Sequence, residues 1–260
     1  MSSKSIGLFD SGVGGLSIWN EIHLMLPMES TIYLSDSKHA PYGPKGKNAI
    51  IDLSIKNTEW LINQGCKLIV VACNTATTNA INTLRKNYPI PFIGIEPAIK
   101  PAALQSKSKA IGILATKGTL SSQLFHETSQ LYSSDLLVVE KEGNGIVELI
   151  ENGALYSDQM KDLLQSYLQP MLDSNIDCLV LGCTHYHFLT PVLKQLLPEH
   201  VKIIDSGKAV AKQTKVVLEC NKLLNTEAPL EPNRFYTNGN IEVIDSLLKL
   251  ETSRIKKIEF

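Results

Sequence analysis

The chain carries the same local pattern twice, 110 residues apart. Leu68-Ile69-Val70-Val71-Ala72 runs into Cys73-Asn74-Thr75, and Cys178-Leu179-Val180-Leu181-Gly182 runs into Cys183-Thr184-His185. Each apolar run reads as a buried strand followed by a helical pattern. The correspondence extends in both directions. Ile6-Gly7-Leu8 and Ile111-Gly112-Ile113 open the two copies, and each cysteine follows its glycine by 66 or 71 residues. A further apolar strand follows each thiol and ends in an acid, Glu96 at 23 residues and Asp205 at 22. Agreement at three points predicts two halves of one architecture, with a period far too long for a solenoid.

Apolar runs alternate with helical patterns throughout, which predicts parallel α/β organisation. Strands are expected at 6–9, 31–34, 68–72, 92–95, 111–114, 136–139, 178–181, 201–204 and 234–237. Leu16, Trp19, Ile22, His23 and Leu26 recur at helical spacing, as do Ile51, Ile55 and Ile62, with Gly65 as the stop. Residues 40–46 read as a shaped Pro/Gly loop. Beyond Asp205 lie one more strand and two helical patterns, placed to return and complete the first half. The expected division is therefore 1–97 plus 208–260 against 98–207.

The chain has 260 residues, 43% of them apolar, enough for a substantial core. A net charge of −1 gives no electrostatic footprint for nucleic acid. No run of 18 apolar residues occurs, so no membrane span is expected. Residues 1–5 lack the apolar core of a secretion signal, and five cysteines without a scaffold spacing fit a reducing cytoplasm.

Ligands of open α/β sheets bind at the carboxyl ends of strands, where most chemistry-bearing residues of this chain fall. Asp10-Ser11-Gly12-Val13-Gly14-Gly15 tempts a dinucleotide reading. However, Ser17 stands where the third glycine belongs, and Asp10 would repel a pyrophosphate. The segment reads either as a cradle for an ammonium (Asp10) and a carboxylate (Ser11 and helix amides), or as a turn that Asp10 caps. Cys73 at a helix N-terminus is expected to gain thiolate character from the dipole. Cys66, Cys178 and Cys220 lack polar neighbours and read as structural. Cys183-Thr184-His185-Tyr186-His187 reads as a thiol with His185 as activator, as a C-x-H-x-H metal site with no further Cys/His cluster to supply remaining ligands, or as a plain helix start. His187 alone reads as a surface histidine. Two thiols on opposed halves suit removal of a proton from one face of a carbon and its return on the other, which is racemisation.

The segments DSGVGGLS (10–17), APYG (40–43), ACNTAT (72–77), EPA (96–98), LGCTHY (181–186) and IDSG (204–207) together resemble the glutamate racemases of the cofactor-independent aspartate/glutamate racemase superfamily. The resemblance runs nearly the length of the chain. It implies two α/β domains related by pseudo-twofold symmetry about a shared site, no cofactor and no metal. It implies Cys73 and Cys183 as the acid/base pair, the first acting on D-glutamate and the second on L-glutamate. Asp10 and His185 would assist them, and Glu151 would tune the second thiol. Asp10, Ser11, Tyr42, Gly43, Asn74, Thr75, Thr116, Thr184 and His185 match substrate-binding positions. Two departures stand beside the site: His187 where the family usually has Pro, and Ala115 where Gly is common. The family role is supply of D-glutamate for peptidoglycan, generally from a cytoplasmic homodimer. The resemblance leaves two alternatives open, a racemase for aspartate or a related acid, and a regulatory role such as restraint of DNA gyrase. Relatives under control of a peptidoglycan precursor carry an N-terminal extension. With five residues ahead of Ile6, that control is not expected here.

Overall fold

Residues along the first strand alternate between two apolar layers, and that alternation sets the architecture. In the computed structural model, which describes residues 4–132, 135–227, 231–248 and 255–260, β1 (Ile6–Asp10) sends Ile6 and Leu8 to one layer and Phe9 to the other. Strand β3 (Leu68–Val71) does the same with Leu68 and Val70 against Ile69 and Val71. Strands buried on both faces need helices on both sides, as parallel sheets require.

Strands β1, β2 (Thr31–Ser35), β3, β4 (Phe92–Gly94), β9 (Arg234–Thr237) and β10 (Ile255–Lys257) form one all-parallel sheet in the order β10-β9-β2-β1-β3-β4. Strands β5 (Ala110–Ala115), β6 (Leu137–Glu142), β7 (Cys178–Gly182) and β8 (Lys202–Ile204) form a second, in the order β6-β5-β7-β8. The order 2-1-3-4 of the first sheet is thus repeated by 6-5-7-8 in the second. This is the internal repeat predicted from the two cysteine junctions, strand for strand. All nine expected strands form; β9 has its expected bounds, and the others shift at one end or both, the largest shift being three at the end of β6. The tenth, β10, was not foreseen. Its Lys256 and Lys257 are exposed at a sheet edge, where charge replaces the apolar run that marks an inner strand.

Helix α1 (Leu16–Met25) packs against α10 (Gly207–Cys220) on one face of the six-stranded sheet; α2 (Lys47–Asn63) and α3 (Asn74–Asn87) cover the other. On the second sheet, α4 (Ile99–Gln105) and α6 (Gln123–Tyr132), the latter preceded by the short α5 (Lys117–Leu120), cover one face. Helices α7 (Ile146–Glu151), α8 (Asp158–Asp173) and α9 (Thr190–Leu196) cover the other. Helix α11 (Ile241–Leu248) lies between β9 and β10 in the chain. The α1 and α10 layer is continuous with the α7 to α9 layer, so one apolar core runs through both halves.

Helix α2 corrects one expectation. The periodic residues Ile51, Ile55 and Ile62 are only half-buried, while Ile50, Ser54, Asn57, Thr58 and Leu61 face inward. Two polar members of that face find partners: the Ser54 hydroxyl donates to the Ile50 carbonyl, and Asn57 to the Tyr42 hydroxyl. Gly65 does stop the helix, at φ +79°. Among the described residues no helix is long and apolar enough to cross a membrane.

Candidate active site

Both cysteines of the repeat sit where a strand hands over to a helix, at the carboxyl end of its sheet, one in each half. Cys73 is the N-cap of α3, its extended backbone leaving Sγ to accept from the Ala76 amide at 3.4 Å and to donate to the Ser11 hydroxyl at 3.5 Å. Cys183 follows β7 and precedes a 3-10 helix, Thr184–Leu189; its Sγ lies 3.8 Å from Nδ1 of His185. The thiols are 4% and 6% exposed.

The expected gain of thiolate character at Cys73 is not found. Burial, and after it the Asp10 carboxylate, push this thiol well above the ordinary range, against the Ala76 amide and Ser11. A helix N-terminus contributes a partial charge, whereas full burial removes solvation from the anion outright. Asp10, itself fully buried, is raised by the same desolvation, opposed by His185.

The partners of Cys183 are arranged differently. His185 Nε2 is 2.6 Å from Glu151 Oε1 at the end of α7. Burial pulls the imidazole down, but hydrogen bonds to Cys183 and Glu151 outweigh it and hold the ring well above its ordinary value. Burial of Glu151 acts upward, but His185 and the Val13 and Ser37 donors overcome it and hold the carboxyl below its ordinary value. The result is an imidazolium–carboxylate pair with its other ring nitrogen toward sulfur. It is packed tightly: a Cβ on Gly12 would fall 1.9 Å from Glu151 Oε1, and one on Gly14 2.5 Å from the His185 backbone nitrogen.

The expected use of the Gly-rich turn changes accordingly. Its amides are taken by the protein's own carboxylates, Val13 by Glu151 at 2.7 Å and Gly15 by Asp10 at 2.8 Å. Asp10 therefore caps its turn, and also lies 4.0 Å from His185 Nδ1. Donors for an anion come from elsewhere. Asn74 is buried with both its Nδ2 and Oδ1 unpartnered, two polar groups held ready without a ligand. Thr75 and Thr116, from opposite halves, bring their hydroxyls to 2.7 Å, and Gly43 packs so closely that a Cβ there would meet Thr116 Cβ at 3.1 Å. Thr184 is buried beside Cys183, its carbonyl accepting from Ser17 at 3.3 Å. The Tyr42 hydroxyl is engaged by protein partners, donating to Asp36 at 2.5 Å and accepting from Asn57 at 3.1 Å.

Of the sequence-chosen residues, Asp10, Ser11, Cys73, Cys183, His185 and Glu151 form one contact network, Gly43, Thr75 and Thr116 a second, and Asn74 and Thr184 each adjoin a cysteine. His187 does not fit its surface reading. It is largely buried, 3.9 Å from Asp205, and burial lowers its pKa against the pull of that carboxylate. Ala115 is fully buried, and a Cβ on Gly182 would meet its methyl at 2.6 Å; the departure from Gly thus fills space opposite the residue before Cys183. Cys66 and Cys178 are buried thiols, pushed up to about 12 and about 11 by desolvation. Cys220 is exposed at the end of α10 and packs in no core. Sequence reasoning missed Ser37, which donates to Glu151 Oε2 at 2.8 Å, and Thr119, whose hydroxyl lies 3.1 Å from that of Thr116. Thr119 carried a signal, three residues past an N-cap threonine; Ser37 carried none. Among the described residues no three His, Cys, Asp or Glu side chains are grouped to hold a metal ion.

The family model for Asp/Glu/hydantoin racemases matches residues 20–214. The chain belongs to that family. A curated glutamate racemase of Ectopseudomonas mendocina is 45% identical over 250 residues, covering 96% of this chain and 95% of that protein. The Escherichia coli glutamate racemase, solved with L-glutamate and the activator UDP-MurNAc-Ala, superposes with a TM-score of 0.85 at 32% identity, covering 98% of each chain. The Francisella tularensis enzyme, solved with D-glutamate, gives 0.86 at 29% identity, covering 100% of this chain and 98% of that one. As a member, the chain shares with those structures the two facing α/β units that the sequence repeat implied.

Proposed function

We propose that this racemase interconverts L- and D-glutamate without a cofactor, by proton transfer between Cys183 and Cys73. The observation that carries the reading is the pairing of two buried strand-end thiols, one from each half, in one enclosed polar site. Relatives that are glutamate racemases over nearly the full length give it a substrate.

In the L-to-D direction Cys183, as thiolate, removes the Cα proton. The electron pair released by the C–H bond moves into the α-carboxylate, and the Cys73 thiol delivers its proton to the opposite face. The sulfurs end with their protonation reversed, and the D-to-L reaction restores them. The two environments suit this division. Burial and Asp10 hold Cys73 in its protonated, donating form, while the His185 cation faces Cys183. Charge developing on the carboxylate is met by donors fixed before reaction, Asn74 and the Thr75–Thr116 hydroxyls. Asp10 is the acceptor for the ammonium, and enclosure keeps water from competing.

The same reading divides the chain at about 97 and 208 and makes the protein a cytoplasmic homodimer that supplies D-glutamate for peptidoglycan. Proton NMR of L-glutamate with the purified protein in deuterated water tests it. Appearance of α-deuterated D-glutamate is expected, and exchange of aspartate but not glutamate would move the substrate to the shorter acid.

A further inference from the structure

Asn238, at the end of β9, touches none of the groups that would meet substrate, yet it is one of the most fully engaged side chains near the site. Its Nδ2 donates to Asp36 Oδ1 at 2.6 Å, and its Oδ1 accepts from the Lys38 backbone amide at 2.8 Å. Only one orientation of the amide satisfies both, since a carboxylate cannot donate and a backbone N–H cannot accept. Residues 36 and 38 flank Ser37, so one side chain grips the chain on either side of it. The next residue closes the third side: a Cβ on Gly239 would lie 2.4 Å from Ser37 Cβ. Ser35 supplies the remaining contact, its hydroxyl 3.0 Å from that of Ser37. Held in this way, Ser37 has its single hydroxyl hydrogen directed to Glu151 Oε2 at 2.8 Å, across the boundary between the halves.

We infer that Asn238 is a positioning residue for proton transfer at Cys183, acting through Ser37, Glu151 and His185. The inference rests on the racemase reading above. Its physical content is a chain of fixed lengths. Ser37 occupies Oε2 of Glu151, while Oε1 takes the Val13 amide at 2.7 Å and His185 Nε2 at 2.6 Å, and the ring so held aims Nδ1 at sulfur. If the turn loosens, the carboxylate can rotate and the imidazole loses its aim. Among the described residues the other branch of the clamp runs from Asp36 to Tyr42 and Asn57 and makes no hydrogen bond to Cys73, so the effect falls on one thiol.

The test compares Asn238→Ala, Ser37→Ala and the double variant with the unaltered protein, with circular dichroism and Tm as controls of fold. Loss of precise aim is expected to lower kcat/KM by about tenfold in each single variant. The α-deuterium isotope effect on kcat/KM should rise with L-glutamate and fall with D-glutamate, whose Cα–D bond breaks in the Cys73 step. The double variant should be no worse than Ser37→Ala alone, because the two act in series. Should Asn238→Ala fail to fold, Asn238→Asp takes its place, since it keeps the acceptor for Lys38 and loses the donor to Asp36. Additive losses in the double variant, isotope effects that change equally in both directions, or a Ser37→Ala protein without the L-specific rise would each overturn the inference. A wild-type protein inert toward both enantiomers would instead overturn the racemase reading.

Discussion

Glu151 Oε1 lies 2.6 Å from His185 Nε2, and the same oxygen accepts the Val13 amide at 2.7 Å. One carboxylate thus ties the Gly-rich turn of the first half to the thiol-bearing turn of the second. Its charge is compensated by the imidazolium, and its second oxygen by Ser37. The Cys73 side has no such pair: Asp10 is its anionic neighbour, and the effect is to keep that thiol protonated. Two sulfurs related by the fold are therefore unequal in chemistry.

Loss of the imidazole is expected to show this inequality. Slowing the Cys183 step in His185→Ala cannot alter the ratio of kcat/KM in the two directions, because enantiomers have equal free energy in achiral water. The step instead becomes more fully rate-limiting. The α-deuterium isotope effect on kcat/KM should rise for L-glutamate and not for D-glutamate, and equal changes would remove His185 from the service of one thiol.

Deuterium should enter Cα of the product enantiomer from either direction, while unreacted substrate recovered early stays protonated. Two bases on opposite faces require this. Washout from the starting enantiomer as fast as racemisation would point to a single base.

Asp10→Asn keeps an oxygen for the Gly15 amide, so the fold should survive. It removes the charge that would hold the ammonium. A hydrogen bond to a charged group is worth about 1.5–3 kcal/mol, so kcat/KM should drop roughly ten- to a hundredfold. A folded variant with full activity would return Asp10 to the role of turn cap alone.

Labelling by iodoacetamide should follow exposure and protonation. Cys220 is exposed and should react first at neutral pH. An unperturbed thiol of pKa near 8.5 is about 3% thiolate at pH 7, and Cys73, raised above that range, holds less. Its labelling, followed by peptide mass spectrometry, should keep climbing with pH beyond the ordinary thiol range and be slowed by glutamate. A plateau at or below pH 8 would show that the helix dipole outweighs burial after all.

Chelators should leave activity intact, since among the described residues no third ligand is grouped with Cys183 and His185 to hold a metal ion. Activity lost to EDTA and restored by zinc would contradict this.

The repeat was legible because buried parallel strands must be apolar and because the thiols mark where two of them end. The matching orders 2-1-3-4 and 6-5-7-8 agree with that repeat, although the order itself is seen only in the fold. What was not legible depends on contacts between distant segments. The Cys73 thiol is raised by burial that its local sequence does not show. The amides of Val13 and Gly15 look free in sequence, but are claimed by Glu151 and Asp10. His187 looks like a surface residue until α10 starts beside it: a Cβ on Gly207 would lie 3.8 Å from its ring. Ser37 and Asn238 come together from 201 positions apart, and no local signal connects them.

Strand β9 pairs with β2, so the six-stranded sheet joins residues near 32 to residues near 235. During synthesis the first four strands of this sheet leave the ribosome long before the fifth. The whole second half is made in between, and its local strand pairings can form at once, whereas long-range ones must wait. Until then β2 presents an open edge and residues 36–39 lack the Asn238 clamp. The turn that holds Ser37 against Glu151 is therefore completed only after residues 234–239 have been made, and a nascent chain halted before residue 234 would hold both thiols without that clamp.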